Sequence, residues 1–140
     1  MQDFKKLRVW HLAKDVALRV INGLPSKTAR KVPGLRGQAI RAAMSVSANI
    51  VEGAGRSKRS EFHQFLEIAL ASLNELQGHL ILAHDSAVLS DDVALGLARH
   101  IEVERRMLIA LMRTLQEHIA QEEEHRRRRQ RGHDDGAQTL

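Results

Sequence analysis

The sequence predicts an all-α protein folded as an antiparallel up-down-up-down four-helix bundle. Along four segments of the 140-residue chain, apolar residues recur every three or four positions, which is the spacing of one face of a helix. Short polar connections join these segments, and short connections place successive helices side by side in opposite directions. A chain of this length is enough for a single hydrophobic core, so we expect one globular unit.

The first predicted helix spans residues 3–23. Asp3 is a suitable N-cap residue, and Pro25 ends the helix because the residue before a proline is pushed out of the helical conformation. Pro25 and Pro33 are the only prolines, and they enclose a polar loop that carries three positive charges. The second predicted helix follows over residues 35–54.

The second helix carries apolar residues on two sides. One side faces the core of the bundle, and the other holds Ile40, Met44 and Val51, which a single four-helix bundle would leave in water. Soluble monomers seldom keep an exposed apolar strip of this kind. We therefore expect Ile40, Met44 and Val51 to form an interface between copies of the chain, together with neighbours such as Ile68 or Leu82.

Two further helices complete the predicted bundle. Gly53 and Gly55 are expected to end the second helix, with the later glycine or both at positive φ. Ser60 is the predicted N-cap of the third helix and Ser90 that of the fourth, where two acidic residues in the first turn suit the helix dipole. The apolar spacing of the fourth helix fades after residue 119, and we expect the helix to end near His125.

The remaining segment is rich in arginine and has almost no apolar residues. Like charges repel one another, and a segment without apolar residues cannot pack on a core. The sequence thus divides into a four-helix bundle over residues 1–125 and a basic, mostly disordered tail over residues 126–140.

Charge is distributed unevenly along the chain. Residues 1–60 hold 13 Lys and Arg against 3 Asp and Glu, residues 61–125 hold 4 against 12, and residues 126–140 hold 5 against 2. Basic early helices could therefore lie against acidic late helices, with surplus positive charge available to a polyanion. The candidate contacts to a nucleic-acid backbone are Lys5, Lys6, Arg8, Lys27, Arg30, Lys31, Arg36, Arg56, Lys58, Arg59, Arg126, Arg127, Arg128 and Arg129.

The glycine-rich basic turn over residues 53–59 has two interpretations. Glycines, cations and the start of a following helix are the components of a phosphate site. The alternative is a helix end followed by a solvated turn. No strand precedes the turn, so it is neither a Walker A loop nor a dinucleotide-binding fingerprint.

Glu104 lies among the leucines of the fourth helix, where an unpaired carboxylate would be costly to desolvate. We expect it to form a buried ion pair with Arg41 of the second helix, which would set the register between the two helices. One alternative is a glutamate at the edge of the bundle whose carboxylate reaches solvent. The other is a catalytic carboxylate, although no second acid or base shares its site.

Nothing in the sequence indicates an enzyme or a cofactor. None of the eight histidines lies four residues from another, no HExxH motif is present, and no serine lies in a GxSxG turn. The chain contains no cysteine, which excludes disulfides and thiolate metal sites. No apolar run is long enough to span a membrane and the N-terminus has no signal core, so we expect a soluble, cytoplasmic protein.

Several groups of residues at matching distances carry a resemblance to a known family. They are Phe4-xx-Leu7-x-Val9-Trp10-xx-Ala13, Gln38-xx-Arg41-Ala42, Ser45-xx-Ala48-Asn49-Ile50-x-Glu52-Gly53-x-Gly55-Arg56, Glu61-Phe62-xx-Phe65-Leu66-x-Ile68-Ala69 and Ser72-xx-Glu75-Leu76. Over residues 4–119 the chain resembles small four-helix-bundle proteins that include the large-subunit-rRNA intervening-sequence proteins and the accessory variability determinant of diversity-generating retroelements.

This resemblance implies a barrel-like homopentamer with a basic surface and no enzymatic activity. In the retroelement branch it also implies binding to nucleic acid and to a reverse transcriptase. Ile40 and Ala43 stand where the family often carries a second cation beside Arg41, and the arginine tail is additional to the family pattern.

Two functions therefore compete. The first is a non-catalytic homo-oligomer that binds the backbone of RNA or DNA without sequence preference, since the few aromatic residues all lie on predicted core stripes and are not available to stack on bases. The second is a protein-interaction scaffold whose charges serve only the pairing of helices and subunits.

Overall fold

Helices account for most of residues 1–137, the part of the chain that the computed structural model describes. A short 3-10 helix precedes five α-helices, and these residues contain no strand. The elements are η1 (Phe4–Lys6), α1 (Arg8–Gly23), α2 (Thr28–Lys31), α3 (Leu35–Ala54), α4 (Arg59–Asp85) and α5 (Asp91–Ala137). The predicted all-α class is confirmed.

The four long helices enclose one core. Helix α3 packs against α1 and α4, and α5 packs against α4 and α1, so each helix buries one apolar face against two neighbours. The largest fully buried apolar side chains are Leu24, directly after α1, and eight from the four helices: Val20, Val46, Ile50, Leu66, Leu73, Leu76, Ile101 and Leu108.

The first two helices agree with the sequence except at their connections. Asp3 caps the short helix η1 and not a continuous first helix, because Leu7 is extended, with φ −82° and ψ 119°. Leu24 is also extended, as expected before Pro25, and ends α1. The predicted polar loop contains the short helix α2, where buried Thr28 donates a hydrogen bond of 2.6 Å to the carbonyl oxygen of Pro25.

The turn between α3 and α4 differs from the prediction. Neither Gly53 nor Gly55 has a positive φ, since Gly34 is the only such glycine among the described residues. Gly53 is required for close packing instead, because a Cβ atom at this position would lie 2.7 Å from Cδ2 of Phe62 and 2.8 Å from Cβ of Phe65.

The predicted N-caps of the last two helices have different outcomes. Ser60 is not an N-cap, because α4 begins at Arg59 and Lys58 occupies the cap position without a side-chain hydrogen bond. Ser90 is correctly predicted, since its Oγ accepts a hydrogen bond of 3.3 Å from the backbone N–H of Val93.

Helix α5 extends well beyond the bundle. Its last buried residue is Leu115, yet the helix continues to Ala137, 12 residues past the predicted end at His125. Residues 126–137 are therefore helical where disorder was expected, and residues 138–140 lie outside the described part of the chain. Arginine, glutamate and glutamine favour helix, and an Arg128–Glu124 ion pair of 2.9 Å adds an i,i+4 contact.

Candidate nucleic-acid interface

The predicted basic residues lie at two opposite ends of the bundle, separated by the 20-residue helix α3, which is about 30 Å long. The backbone N–H of Gln2 donates a hydrogen bond of 2.8 Å to the carbonyl oxygen of Ala54, which holds the N-terminal segment against the α3–α4 turn. We call this the cleft end, because an open cavity lies there between the α3–α4 turn and α5. It carries Lys5, Lys6, Arg8, Arg56, Lys58 and Arg59. The loop end, around α2, carries Lys27, Arg30, Lys31 and Arg36.

At the loop end, Arg36 has a structural role. Its Nε donates a hydrogen bond of 3.0 Å to the carbonyl oxygen of Leu24, and its Nη2 donates one of 3.1 Å to that of Ile21. Carbonyl groups in the last turn of a helix lack partners within the helix. The partly buried guanidinium of Arg36 therefore caps the C-terminal end of α1.

The other three cations of the loop end, Lys27, Arg30 and Lys31, are exposed. They share this end with acidic residues of the α4–α5 turn, because Gly23 at the end of α1 lies close to Val93 near the start of α5. The charge at this end is therefore mixed.

The cleft end contains an open cavity of about 750 Å³ between the α3–α4 turn and α5. Its lining residues are Met1, Gln2, Ala54, Arg56, Ser57, Lys58, Arg59, Ser60, Phe62, Leu115, Ile119, Glu122, Glu123 and Arg126. This cleft brings the basic turn and the first arginine of the C-terminal segment together, although the two are 67 positions apart between Arg59 and Arg126.

Two of the cations in the cleft are already paired. Arg56 forms an ion pair of 2.8 Å with Glu52, and its guanidinium lies 4.8 Å from the centre of the Phe65 ring. Arg59 forms an ion pair with Glu122 of α5. The side chains of Lys58 and Arg126 are exposed and form no ion pair or hydrogen bond with any described residue, so both remain available to an anion.

Beyond the cleft, the projecting part of α5 carries the arginine run as a basic arm, residues 124–137. Successive helical residues are about 100° apart, so Arg126, Arg127, Arg128 and Arg129 point around the whole circumference. Arg128 is paired with Glu124. The arm has no apolar face with which to pack on the bundle, and its described side chains are exposed.

The predicted Arg41–Glu104 ion pair is wrong. The side chain of Glu104 is 0% exposed, neither of its carboxylate oxygens forms a hydrogen bond with a described residue, and Arg41 is exposed. The interpretation of Glu104 as an edge residue is also wrong, because its carboxylate does not reach solvent. Burial alone raises the pKa of Glu104 to about 8, so the carboxyl group is mainly protonated at neutral pH.

Polar contacts between α3 and α4 were not predicted. The Oγ atoms of Ser45 and Ser72 are 2.8 Å apart, and Nδ2 of Asn49 donates hydrogen bonds to the carbonyl oxygen and Oγ of Ser45. Ser45 and Asn49 lie on the narrow polar stripe of the second helix, which was the available signal in the sequence. Ser72 of α4, which belongs to this hydrogen-bonded group, is itself buried.

The predicted interface residues differ in exposure. Met44 is 54% exposed, whereas Ile40 and Val51 are partly buried and Ile40 packs against the core. Their predicted neighbours on α4 are also in contact with solvent, with Ile68 48% and Leu82 50% exposed. Both α3 and α4 therefore present exposed apolar side chains, Met44 on α3 and Ile68 and Leu82 on α4.

Residues 1–137 lack two other kinds of feature. No group of three or more His, Cys, Asp or Glu side chains in this range is arranged to hold a metal ion. None of the described helices is both long enough and apolar enough to cross a membrane.

Comparison with known families gives a match over residues 5–110 to the 23S rRNA-intervening sequence proteins. The chain belongs to this family. The predicted resemblance to intervening-sequence proteins is thus confirmed. The match covers α1 to α4 and the first part of α5, and it ends before the α5 wall of the cleft and the basic arm.

A solved structure supports the fold of this intervening-sequence family member. It is a crystal structure of a protein of unknown function from the S23 ribosomal protein family of Bacteroides thetaiotaomicron, with a TM-score of 0.69 and 23% sequence identity. The similarity covers 74% of the present chain and 97% of the other. No curated protein matches the chain.

Proposed function

We propose that this protein is a non-catalytic, basic homo-oligomer that binds the phosphate backbone of nucleic acid, in association with rRNA. The observation that carries the proposal is the cleft end, where the unpaired side chains of Lys58 and Arg126 line one cavity and the basic arm begins beside it. The chain's membership of the 23S rRNA-intervening sequence family supports rRNA as the partner. A partner of this kind would place the protein in the cytoplasm.

We also propose that the bundle is antiparallel, with up-down-up-down topology. Contacts between α3 and α4 support this, because Gly53 near the end of α3 lies against Phe62 near the start of α4. Ser45, which comes before Gly53, forms a hydrogen bond with Ser72, which comes after Phe62, so the two helices run in opposite directions. The same reversal holds for α4 and α5, where His84 lies beside Asp91 and Arg59 pairs with Glu122.

The proposed oligomer uses exposed apolar side chains of two helices, Met44 of α3 and Ile68 and Leu82 of α4. Burial of each such side chain contributes about 1.5–3 kcal/mol, and a heterologous interface repeated by rotation can close into a ring. The homopentamer is implied by the resemblance described above. A reverse-transcriptase partner, implied by the retroelement branch of that resemblance, stays a prediction.

Phosphate binding requires cations that are not already neutralised. Lys58 and Arg126 meet this condition in the cleft, and Arg127 and Arg129 meet it on the arm. Each cation that contacts a phosphate displaces condensed counterions from the nucleic acid, so affinity should decrease with salt.

The test is fluorescence polarisation with a single-stranded RNA oligonucleotide across a range of KCl concentrations. We expect affinity to fall steeply with salt, and Lys58→Ala with Arg126→Ala to reduce the slope of log K against log salt by roughly 0.7 for each phosphate that is no longer neutralised. The matched control is Lys27→Ala with Arg30→Ala, which removes the same charge at the loop end and should affect binding less.

Deletion of residues 126–140 should weaken RNA binding further. Binding that is independent of salt, or absent at low salt, would contradict the proposal and favour the alternative function, a protein-interaction scaffold. Equal effects of the two double variants would show that net charge, and not the cleft, determines affinity.

A further inference from the structure

The cleft is not lined only by cations. Its wall on the α3–α4 turn carries Arg56, Lys58 and Arg59, whereas its wall on α5 carries Glu122 and Glu123 before Arg126. The charge of Glu122 is offset by its ion pair with Arg59, whereas the carboxylate of Glu123 has no cationic partner and would repel a phosphate beside it. The mixed lining therefore suits a ligand that has both an anionic part and hydrogen-bond donors.

The size and base of the cleft fit a small ligand. Its volume of about 750 Å³ lies within the usual range for ligand pockets, which is about 300–1,000 Å³. Buried Ala54, Phe62 and Leu115 form the apolar base of the cleft, and the partly buried Ile119 adds exposed apolar atoms. The cleft thus combines apolar contact area, free cations and carboxylate acceptors.

We propose that the cleft binds one unpaired nucleotide of an RNA strand, with its phosphate on Lys58 and Arg126 and its base against the apolar lining, where Glu123 accepts a hydrogen bond from an exocyclic amino group. This inference rests on the proposed nucleic-acid function and extends it from the backbone to one base. Phe62 is buried, so the base makes apolar contact without stacking on an exposed aromatic ring.

Glu123 is the proposed acceptor because the carboxylate of the adjacent Glu122 is already engaged in an ion pair. Glu122 is paired with Arg59, whereas the carboxylate of Glu123 is exposed and forms no hydrogen bond or ion pair with any described residue. A carboxylate accepts hydrogen bonds and cannot donate them when ionised. At position 4 of the pyrimidine ring it therefore favours the N4 amino group of cytosine, which donates, over the O4 atom of uracil, which accepts.

An unpaired strand is required because base pairing occupies the amino groups on the Watson–Crick edge. Proteins that recognise RNA sequence commonly read bases in loops, bulges and ends for this reason. The selectivity is limited to one base, so the backbone contacts still determine most of the affinity.

The experiment compares fluorescently labelled oligocytidine and oligouridine tetranucleotides at low salt with the full chain. Their bases differ at position 4, an amino group against a carbonyl oxygen, and at N3, which carries a proton only in uracil. We expect tighter binding of oligocytidine by roughly fivefold or more. In Glu123→Ala the ratio of the two affinities should fall to about one, although loss of a negative charge should raise the affinity for both probes.

The matched control is Glu124→Ala, which removes the same charge from the adjacent position. Glu124 does not line the cleft and pairs with Arg128, so the cytidine-to-uridine ratio should be retained. A ratio of one in the unaltered protein, or a ratio that persists in Glu123→Ala, would overturn this inference. Equal binding that weakens with salt would leave the proposed function intact, whereas failure to bind either probe at low salt would overturn both.

Discussion

The Nε of Arg36 donates a hydrogen bond of 3.0 Å to the carbonyl oxygen of Leu24, the residue at which α1 ends. A second nitrogen of the same guanidinium bonds the carbonyl oxygen of Ile21. The first turn of α3 thus stabilises the end of α1, because Leu24 is extended before Pro25 and the last helical carbonyls need external donors. Arg36 therefore contributes to folding, although its sequence context suggested a phosphate contact.

We expect Arg36→Ala to lower the free energy of unfolding by about 1.5–3 kcal/mol, because the variant cannot make the hydrogen bonds from a charged donor to partly buried carbonyl groups. Urea denaturation measures the change. Arg30→Ala is the control, since Arg30 is exposed on α2 and should change stability by less than about 0.5 kcal/mol. Equal decreases in the two variants would contradict the capping role of Arg36.

The close approach of α3 and α4 gives a second prediction. Gly53→Ala places a Cβ atom 2.7 Å from the Phe62 ring and 2.8 Å from Cβ of Phe65, so the helices must move apart. We expect a decrease of about 1–3 kcal/mol in unfolding free energy, as is typical of overpacking. Thermal or urea denaturation of the variant tests this value.

The control for Gly53 is Gly78→Ala within α4. A Cβ atom at residue 78 meets no atom within 4 Å, and alanine favours helix over glycine by about 1 kcal/mol. This variant should therefore be more stable than the unaltered protein. If Gly53→Ala were also stabilising, the tight contact with Phe62 would not exist in solution.

The buried carboxyl group of Glu104 predicts a pH-dependent stability. Its pKa is about 8 in the folded protein and 4.5 in the absence of burial. Between these pH values the folded state holds one more proton than the unfolded state, so the free energy of unfolding falls by about 1.4 kcal/mol per pH unit as pH rises. The contribution is complete below pH 4.5 and its loss, at most about 5 kcal/mol, is complete above pH 8.

Glu104→Gln isolates this contribution, because the amide has a similar shape and does not ionise. The difference in unfolding free energy between the variant and the unaltered protein should increase in favour of the variant from pH 5 to pH 8, measured by urea denaturation at each pH. Arg41→Ala should change stability little at any of these pH values, since Arg41 is exposed and does not contact Glu104. A constant difference across the range would show that Glu104 is ionised in the folded state.

The proposed oligomer gives the last prediction. Met44→Glu places a charge among the exposed apolar side chains of α3 and α4 and should dissociate the assembly without unfolding the bundle, because Met44 is 54% exposed. Size-exclusion chromatography with light scattering measures the mass. Leu18→Glu is the control, since Leu18 is 50% exposed on α1 and lies outside the predicted interface. A monomer at micromolar concentration of the unaltered protein would contradict the oligomer.

The sequence predicted best where a local signal determines structure. Helix α3 occupies the predicted residues 35–54, and Pro25 and Ser90 mark helix boundaries as expected. The start of α4 was predicted less well, because Ser60 was a suitable cap by residue type but the helix begins one residue before it, at Arg59, with Lys58 at the cap position.

The amino-acid sequence by itself determined the all-α class and the four apolar helix faces, because these depend on spacing along the chain, and its resemblance to the intervening-sequence proteins is carried by local motifs. Only the tertiary structure decided which charges are paired. The rotation of α3 exposes Arg41 while that of α5 buries Glu104, and the end of α5 brings Glu122 to Arg59. Such pairings depend on helix rotation and on the meeting of distant segments, which periodicity does not specify.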